Sequence, residues 1–229
     1  MEDKYGNEIK IRQTAYDRFV FEMPNNDVII NVLFKKTVDN ETINKMPFVD
    51  VTENDWSYEF IKYVYENGIM KGVSDTLFEP RNNTSRAMLV TMLYRLDNSL
   101  IDDQYELKFS DIDENSYYED AVKWAEKNNI ISGYSSDKFG PHDNITREQL
   151  VTILYRYAKY KNINIDYELI NDNKFNDIRN IGEYAVDAVN WAISCDILQG
   201  INDDKLDPQG FATREQIATI FMRFMQFSE

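Results

Sequence analysis

"ITREQLVTILYRY", residues 145–157, reads as the start of a helix with a cation where a helix least favours one. Thr146 is a good N-cap, and Gln149 three positions on completes a capping box in which each side chain takes the other's free backbone N–H. Ile145 ahead of the cap and Leu150 behind it form a hydrophobic staple. Arg147 therefore occupies the first helical position, where the positive end of the helix dipole makes a cation cost about 0.3–1 kcal/mol. Apolar residues then recur at helical spacing as Leu150, Ile153, Leu154 and Tyr157, which predicts one buried face.

The chain repeats this arrangement three times. Residues 48–96 align without a gap on 109–157 at an offset of 61: "FVDV" on "FSDI", "GIMKGV" on "NIISGY", "LFEP" on "KFGP", "LVTMLYRL" on "LVTILYRY". A third copy begins at Phe175 with "FNDI", gains one residue before its first helix, and continues at an offset of 67 through "DILQGI", "KLDP" and "TREQIATIFMRF". Each unit reads as helix, loop, helix. The second helices carry the stripes Leu89, Met92, Leu93, Leu96 and Ile217, Ile220, Phe221, Phe224. The first helices carry narrower ones (Phe60, Ile61, Val64; Ala121, Val122, Ala125; Ala188, Val189, Ala192), and Trp124 and Trp191 within them read as core. Gly72, Gly133 and Gly200 with Pro80, Pro141 and Pro208 fit a helix stop followed by a tight loop. One helix pair cannot bury its own face, so the three units must pack on one another and leave grooves between them.

The expected class is mainly α, with repeats at 48–96, 109–157 and 175–226 joined by polar, acidic surface segments at 97–108 and 158–174. Residues 1–36 differ. "FVFEM" and "VIINVLF" around "PNND" predict a β-hairpin, the remnant of a β module, with 37–47 as linker.

Composition narrows the function. Among 229 residues, 40 Asp and Glu outweigh 25 Lys and Arg for a net charge of −15, which argues against nucleic acid or an anionic membrane as partner. Cys195 is the only cysteine and His142 the only histidine, so neither an internal disulfide nor a zinc site of Cys/His spacing can form. No apolar run approaches 18 residues, and "MEDKYGNEIK" has neither a basic nor an apolar leader region. The expectation is a chain that stays inside or is a fragment. "DIDENSYYED" (111–120) has a superficial likeness to a calcium loop but lacks the sixth-position glycine and the twelfth-position glutamate, where Val122 stands.

The set "FxD[VI]", an aromatic, the small-residue helix, "GI..G", "FxP" and "TRE", recurring in one order, resembles the S-layer homology (SLH) domain, here as a triplet over roughly 48–226. The stretch "F.F.MP..DV.....F" is similar to the end of small β repeats found in bacterial surface proteins. The SLH resemblance implies a pseudo-threefold helical assembly that attaches exported proteins non-covalently to the bacterial cell wall. It implies a secondary cell-wall polysaccharide as ligand, typically pyruvylated, held in grooves between units. The arginine of the family's "TRAE" motif binds ligand, and it falls on Arg86, Arg147 and Arg214.

Two readings of these arginines stay open. One is a guanidinium–carboxylate contact to the ligand, assisted by backbone N–H groups at the same helix start; removing such an arginine leaves stability nearly unchanged. The other is an internal salt bridge to Asp50, Asp111 or Asp177 of the "FxD" motif, and the aspartate could also orient the arginine for its ligand. Trp56, Tyr117 and Tyr184 hold the family's aromatic position and are either sugar platforms or groove walls. The family's Gly-Asp-Gly loop reads "SDTLF", "SSDKF" and "NDDKL" here: Asp75 and Asp203 keep the acid, Ser136 replaces it, and the glycines are gone. Ser85, Thr146 and Thr213 are N-caps. Unit 1 lacks the full box, with Met88 at the glutamine position and Thr84 as a poor staple, which makes Arg86 the least supported site of the three.

The resulting expectation is a non-catalytic, monomeric anchor at the cell wall, without cofactor or metal. The alternatives are the C-terminal part of a wall-associated hydrolase and a protein-interaction scaffold. No Ser/His/Asp arrangement supports the first of these.

Overall fold

The computed structural model describes residues 46–99, 104–167 and 175–228 in full, and 11–15 and 18–21 as strand backbone. The chain divides into two units, Met1–Met46 and Pro47–Glu229. In the first, β1 (Ile11–Ala15) pairs antiparallel with β2 (Arg18–Phe21), Ile11 opposite Phe21 and Ala15 opposite Arg18. The expected first strand is present in part as β2, but its partner lies upstream. The expected turn at 24–27 and second strand at 28–34 fall outside the described residues.

The second unit holds, among the described residues, α1 (Tyr58–Glu66), α2 (Arg86–Asp97), α3 (Glu119–Lys127), α4 (Arg147–Tyr160), α5 (Val186–Ser194) and α6 (Arg214–Ser228). Each repeat is a short helix followed by a long one. α2 packs on α3, α4 on α5, and α6 on α1. The long helix of each repeat therefore covers the short helix of the next, and the third repeat returns to the first. Closing the ring gives every apolar stripe a partner, which an open stack of three would not.

Backbone hydrogen bonds seal the axis. The N–H of Thr84 donates to the Ala212 carbonyl (3.0 Å), that of Ala212 to Ile145 (2.9 Å), and that of Ile145 back to Thr84 (2.9 Å). These three residues directly precede the N-caps and are fully buried. The caps form as the sequence predicts: Ser85 accepts from the Met88 N–H, and Thr146 and Thr213 make reciprocal boxes with Gln149 and Gln216. Leu89, Leu93, Leu150, Leu154, Ile217 and Phe221 are fully buried beneath them, each contributing about 1.5–3 kcal/mol. Trp124 and Trp191 are also buried, whereas Leu96 at the end of its stripe is only half-buried.

The glycines divide differently from expectation. The short helices end on Gly68, Asn129 and Asp196, all in the left-handed region. Gly72, Gly133 and Gly200 sit later, where the loop crosses the "FxD" phenylalanine. A Cβ on any of them would lie within 2.6 Å of the ring of Phe48, Phe109 or Phe175.

Candidate functional site

Arg86, Arg147 and Arg214 are 4%, 4% and 5% exposed, and each reaches from its own long helix into the next repeat. The Nε of Arg86 donates to the Phe139 carbonyl (2.9 Å) and its Nη2 to Ser132 (2.8 Å). Arg147 does the same to Leu206 and Gln199 (3.0 and 2.6 Å), and Arg214 to Phe78 and Lys71 (2.6 and 2.7 Å). The guanidinium planes of Arg86 and Arg214 also lie over the rings of Phe139 and Phe78, 4.6 and 4.4 Å from their centroids. Burial pulls all three guanidinium groups down from their ordinary range.

Neither reading left open by the sequence describes these contacts in full. Among the described residues no ion pair joins the arginines to Asp50, Asp111 or Asp177. The helix-start N–H groups are also engaged. Those of Arg147 and Glu148 donate to the carbonyls of Gly210 and Pro208, and the equivalents in the other repeats donate to Asp143 and Pro141, and to Asn82 and Pro80. Neighbouring carbonyls thus occupy the positive end of each helix, in the place where an anion was expected to use it.

The aspartates act one step removed. Asp111 accepts the N–H groups of Phe139 and Gly140 (2.9 and 2.8 Å), and the carbonyl of that same Phe139 receives Arg86. Asp50 holds Phe78 and Glu79, and Asp177 holds Leu206 and Asp207, in the same way. Each aspartate shapes the loop whose carbonyl holds the neighbouring repeat's arginine. Burial alone would raise the carboxyl pKa of Asp111 and Asp177, but their backbone N–H donors outweigh it and hold both below the usual carboxylate range. A depressed folded pKa means stability that is present above the unfolded pKa of about 4 and lost as pH falls through the lower, folded value. Asp111→Asn keeps only one acceptor oxygen for two donors and is expected to lose about 1–2 kcal/mol near pH 7. The gap between variant and parent should shrink in acid, as followed by urea unfolding at pH 7 and pH 3.

Arg86 opens onto a groove of about 470 Å³ between the repeats. Ser132, Gly133 and Tyr134 form one wall, Ile153 and Arg156 of α4 the floor, and Tyr184 of the third repeat the other wall. Arg156 is the residue that repeat alignment did not single out. It recurs as Arg95 and Arg223 in "YRL", "YRY" and "MRF". Its Nη1 donates to the Ser132 hydroxyl (2.9 Å), and Arg223 donates to the side-chain oxygen of Gln199, the residue whose backbone carbonyl receives Arg147. Arg95 in turn faces Tyr117. Arg86 is thus paired with Arg156 in one groove, and Arg147 with Arg223 through Gln199, in each case a second arginine from the long helix of the next repeat.

Trp56, Tyr117 and Tyr184 are 60%, 62% and 56% exposed, so their ring faces are available to a ligand. Tyr184 is aimed by its hydroxyl, which donates to Glu148 (2.6 Å); Glu148 also accepts from the Gly182 N–H and the Gln209 side chain. Burial and then Glu148 push the Tyr184 phenol up. Glu148, buried beside Arg147, is a second residue the sequence reading passed over. Its counterpart Glu215 accepts from the Ser57 hydroxyl, while repeat 1 has Ala87 there. Asp50, Trp56, Ser57 and Glu215 line another cleft of about 340 Å³. Asp75 and Asp203 stand exposed on their loops, outside the Arg86 groove.

No helix among the described residues is long and apolar enough to cross a membrane. Comparison with known proteins agrees with the repeat pattern. The model of the S-layer homology domain matches residues 47–87, 108–151 and 174–218. An endoglucanase of Bacillus sp. (strain KSM-635) is 32% identical over 77% of this chain, which covers 18% of that protein. An S-layer protein of Bacillus thuringiensis subsp. finitimus is 25% identical over 75% of the chain and 20% of its own length. A cellulosome-anchoring protein of Acetivibrio thermocellus is 23% identical over 69% and 35%. The chain thus spans a minor part of each of these relatives. With three matched repeats closing one ring, the chain belongs to the S-layer homology domain family.

Proposed function

We propose that the triplet attaches a surface protein non-covalently to the bacterial cell wall by binding an anionic, pyruvylated secondary polysaccharide in its inter-repeat grooves. The chain is a cell-surface anchoring module. The observation that carries the finer reading is the pairing of Arg86 with Arg156 in one open groove, where neither forms an ion pair among the described residues, on a chain of net charge −15. Two convergent guanidinium groups in a partly dry groove form a local anion site that the acidic surface would otherwise repel. The flanking tyrosine faces suit a sugar ring.

Co-sedimentation with purified sacculi, before and after chemical removal of the secondary polymer, tests this. Binding should be lost with the polymer, and equal binding to stripped wall overturns the reading. A second reading, the anchoring part of a longer wall-associated glycosidase, is favoured by the endoglucanase similarity and predicts the same wall binding with turnover supplied by other residues.

A further inference from the structure

The three grooves share one plan, yet their side chains differ. At the position beside the arginine-accepting carbonyl, repeat 1 has Glu79, repeat 3 has Asp207, and repeat 2 has Gly140. The fields of Asp207 and Asp177 reach Arg147, and those of Glu79 and Asp50 reach Arg214. Gly140 carries no acid of its own, so Arg86 feels one carboxylate, Asp143, where Arg147 and Arg214 each feel two, and it also feels the like charge of Arg156. Arg223 is further offset by Asp196.

The walls differ as well. The residue after the loop glycine is Tyr134 in the Arg86 groove, with the Arg86 guanidinium 4.7 Å from its ring centroid, and Val73 or Ile201 in the others. Opposite it stands Tyr184, braced by Glu148. Among the described residues, only in this groove do two half-exposed tyrosines stand on either side of two arginines. A planar anion could sit on the guanidinium pair while its sugar ring lies between the phenol rings.

We infer that the three grooves are functionally unequal and that the Arg86–Arg156–Tyr134–Tyr184 groove is the principal site, selecting a carboxylate-bearing sugar residue of the polymer. This rests on the polysaccharide reading above. It also reverses the ranking in which unit 1's incomplete capping box made Arg86 the least supported site. The box concerns how the helix begins; recognition depends on the walls the next two repeats supply.

The test uses the full chain and four variants: Arg156→Gln, Tyr134→Val (the residue repeat 1 carries), Arg95→Gln and Arg223→Gln. None removes a guanidinium that bonds the inter-repeat carbonyls, and thermal melts confirm folding. Affinity is measured for native sacculi, for stripped sacculi and for sacculi whose polymer carboxyls have been reduced to alcohols. The expected result is a loss of at least about tenfold for Arg156→Gln, about threefold or more for Tyr134→Val, and under about threefold for Arg95→Gln and Arg223→Gln. Carboxyl reduction should weaken the parent as much as Arg156→Gln does. If binding requires the polymer but Arg95→Gln or Arg223→Gln loses as much as Arg156→Gln, the inequality is overturned and the polysaccharide reading stands. Unchanged binding to carboxyl-reduced polymer overturns the carboxylate assignment. Parent binding that survives stripping overturns both.

Discussion

Arg147→Ala is expected to cost the fold about 2–4 kcal/mol, because the substitution removes two charge-assisted hydrogen bonds and leaves the Leu206 and Gln199 carbonyls without their guanidinium partner. In a domain of this size that lowers Tm by roughly 5–15 °C. The same two bonds tie repeat 2 to repeat 3, so the loss strikes a seam of the ring. Some of the cost is offset, since the variant no longer buries a charge. Arg147→Lys separates charge from geometry: one ammonium cannot reproduce the planar fork that serves both carbonyls, so the lysine variant should recover less than half of the loss. Calorimetric melts check both. A loss under about 0.5 kcal/mol for the alanine variant would mean that the carbonyl bonds merely repay desolvation, leaving Arg147 to its ligand alone. This departs from the expectation, drawn from the sequence, that such an arginine is removable without loss of stability.

Phe139→Ala is expected to have a still larger effect, about 3–5 kcal/mol. Phe139 is fully buried, tilted against Phe109 at 5.5 Å between centroids, and lies beneath the Arg86 guanidinium. Its backbone joins Asp111 through the N–H and Arg86 through the carbonyl. Truncation opens a cavity under the peptide that positions the principal groove, so stability and wall binding should fall together. The internal comparison is Leu206, which occupies the same position in repeat 3 and is equally buried. Phe139→Leu should therefore cost only about 1–1.5 kcal/mol and retain most binding. Denaturant unfolding of the two variants checks the difference; similar losses for both would argue that ring stacking, rather than filled volume, dominates there.

The sequence made much of this molecule legible. Thr146 with Gln149 and Thr213 with Gln216 are local patterns, three residues apart, and both boxes form. The stripes of the long helices are periodic and find their core with little exception. Arg147 at the first helical position was visible as an anomaly, and its partners were not. The carbonyls it meets belong to residues 52 and 59 positions away, and those of Arg214 to residues 136 and 143 positions away. Arg156 lies nine residues beyond Arg147, on the opposite side of the same helix, so nothing in one repeat says that it shares a groove with Arg86. The "FxD" aspartates were recognisable as partners in search of a donor, and an acid-rich chain suggested arginine. Two backbone N–H groups of the loop, 28 and 29 residues on, satisfy Asp111 instead.

What the sequence determined by itself was the number of repeats, their helix–loop–helix plan, the capped helix starts and the arginine placed at each of them. Those follow from spacing along one dimension, where propensity, capping and periodicity act. Which groove holds two arginines between two tyrosines was decided only when α2 packed on α3 and α4 on α5, bringing three repeats to one groove. Three units of similar sequence then became three unequal sites, because each groove takes its walls from different repeats.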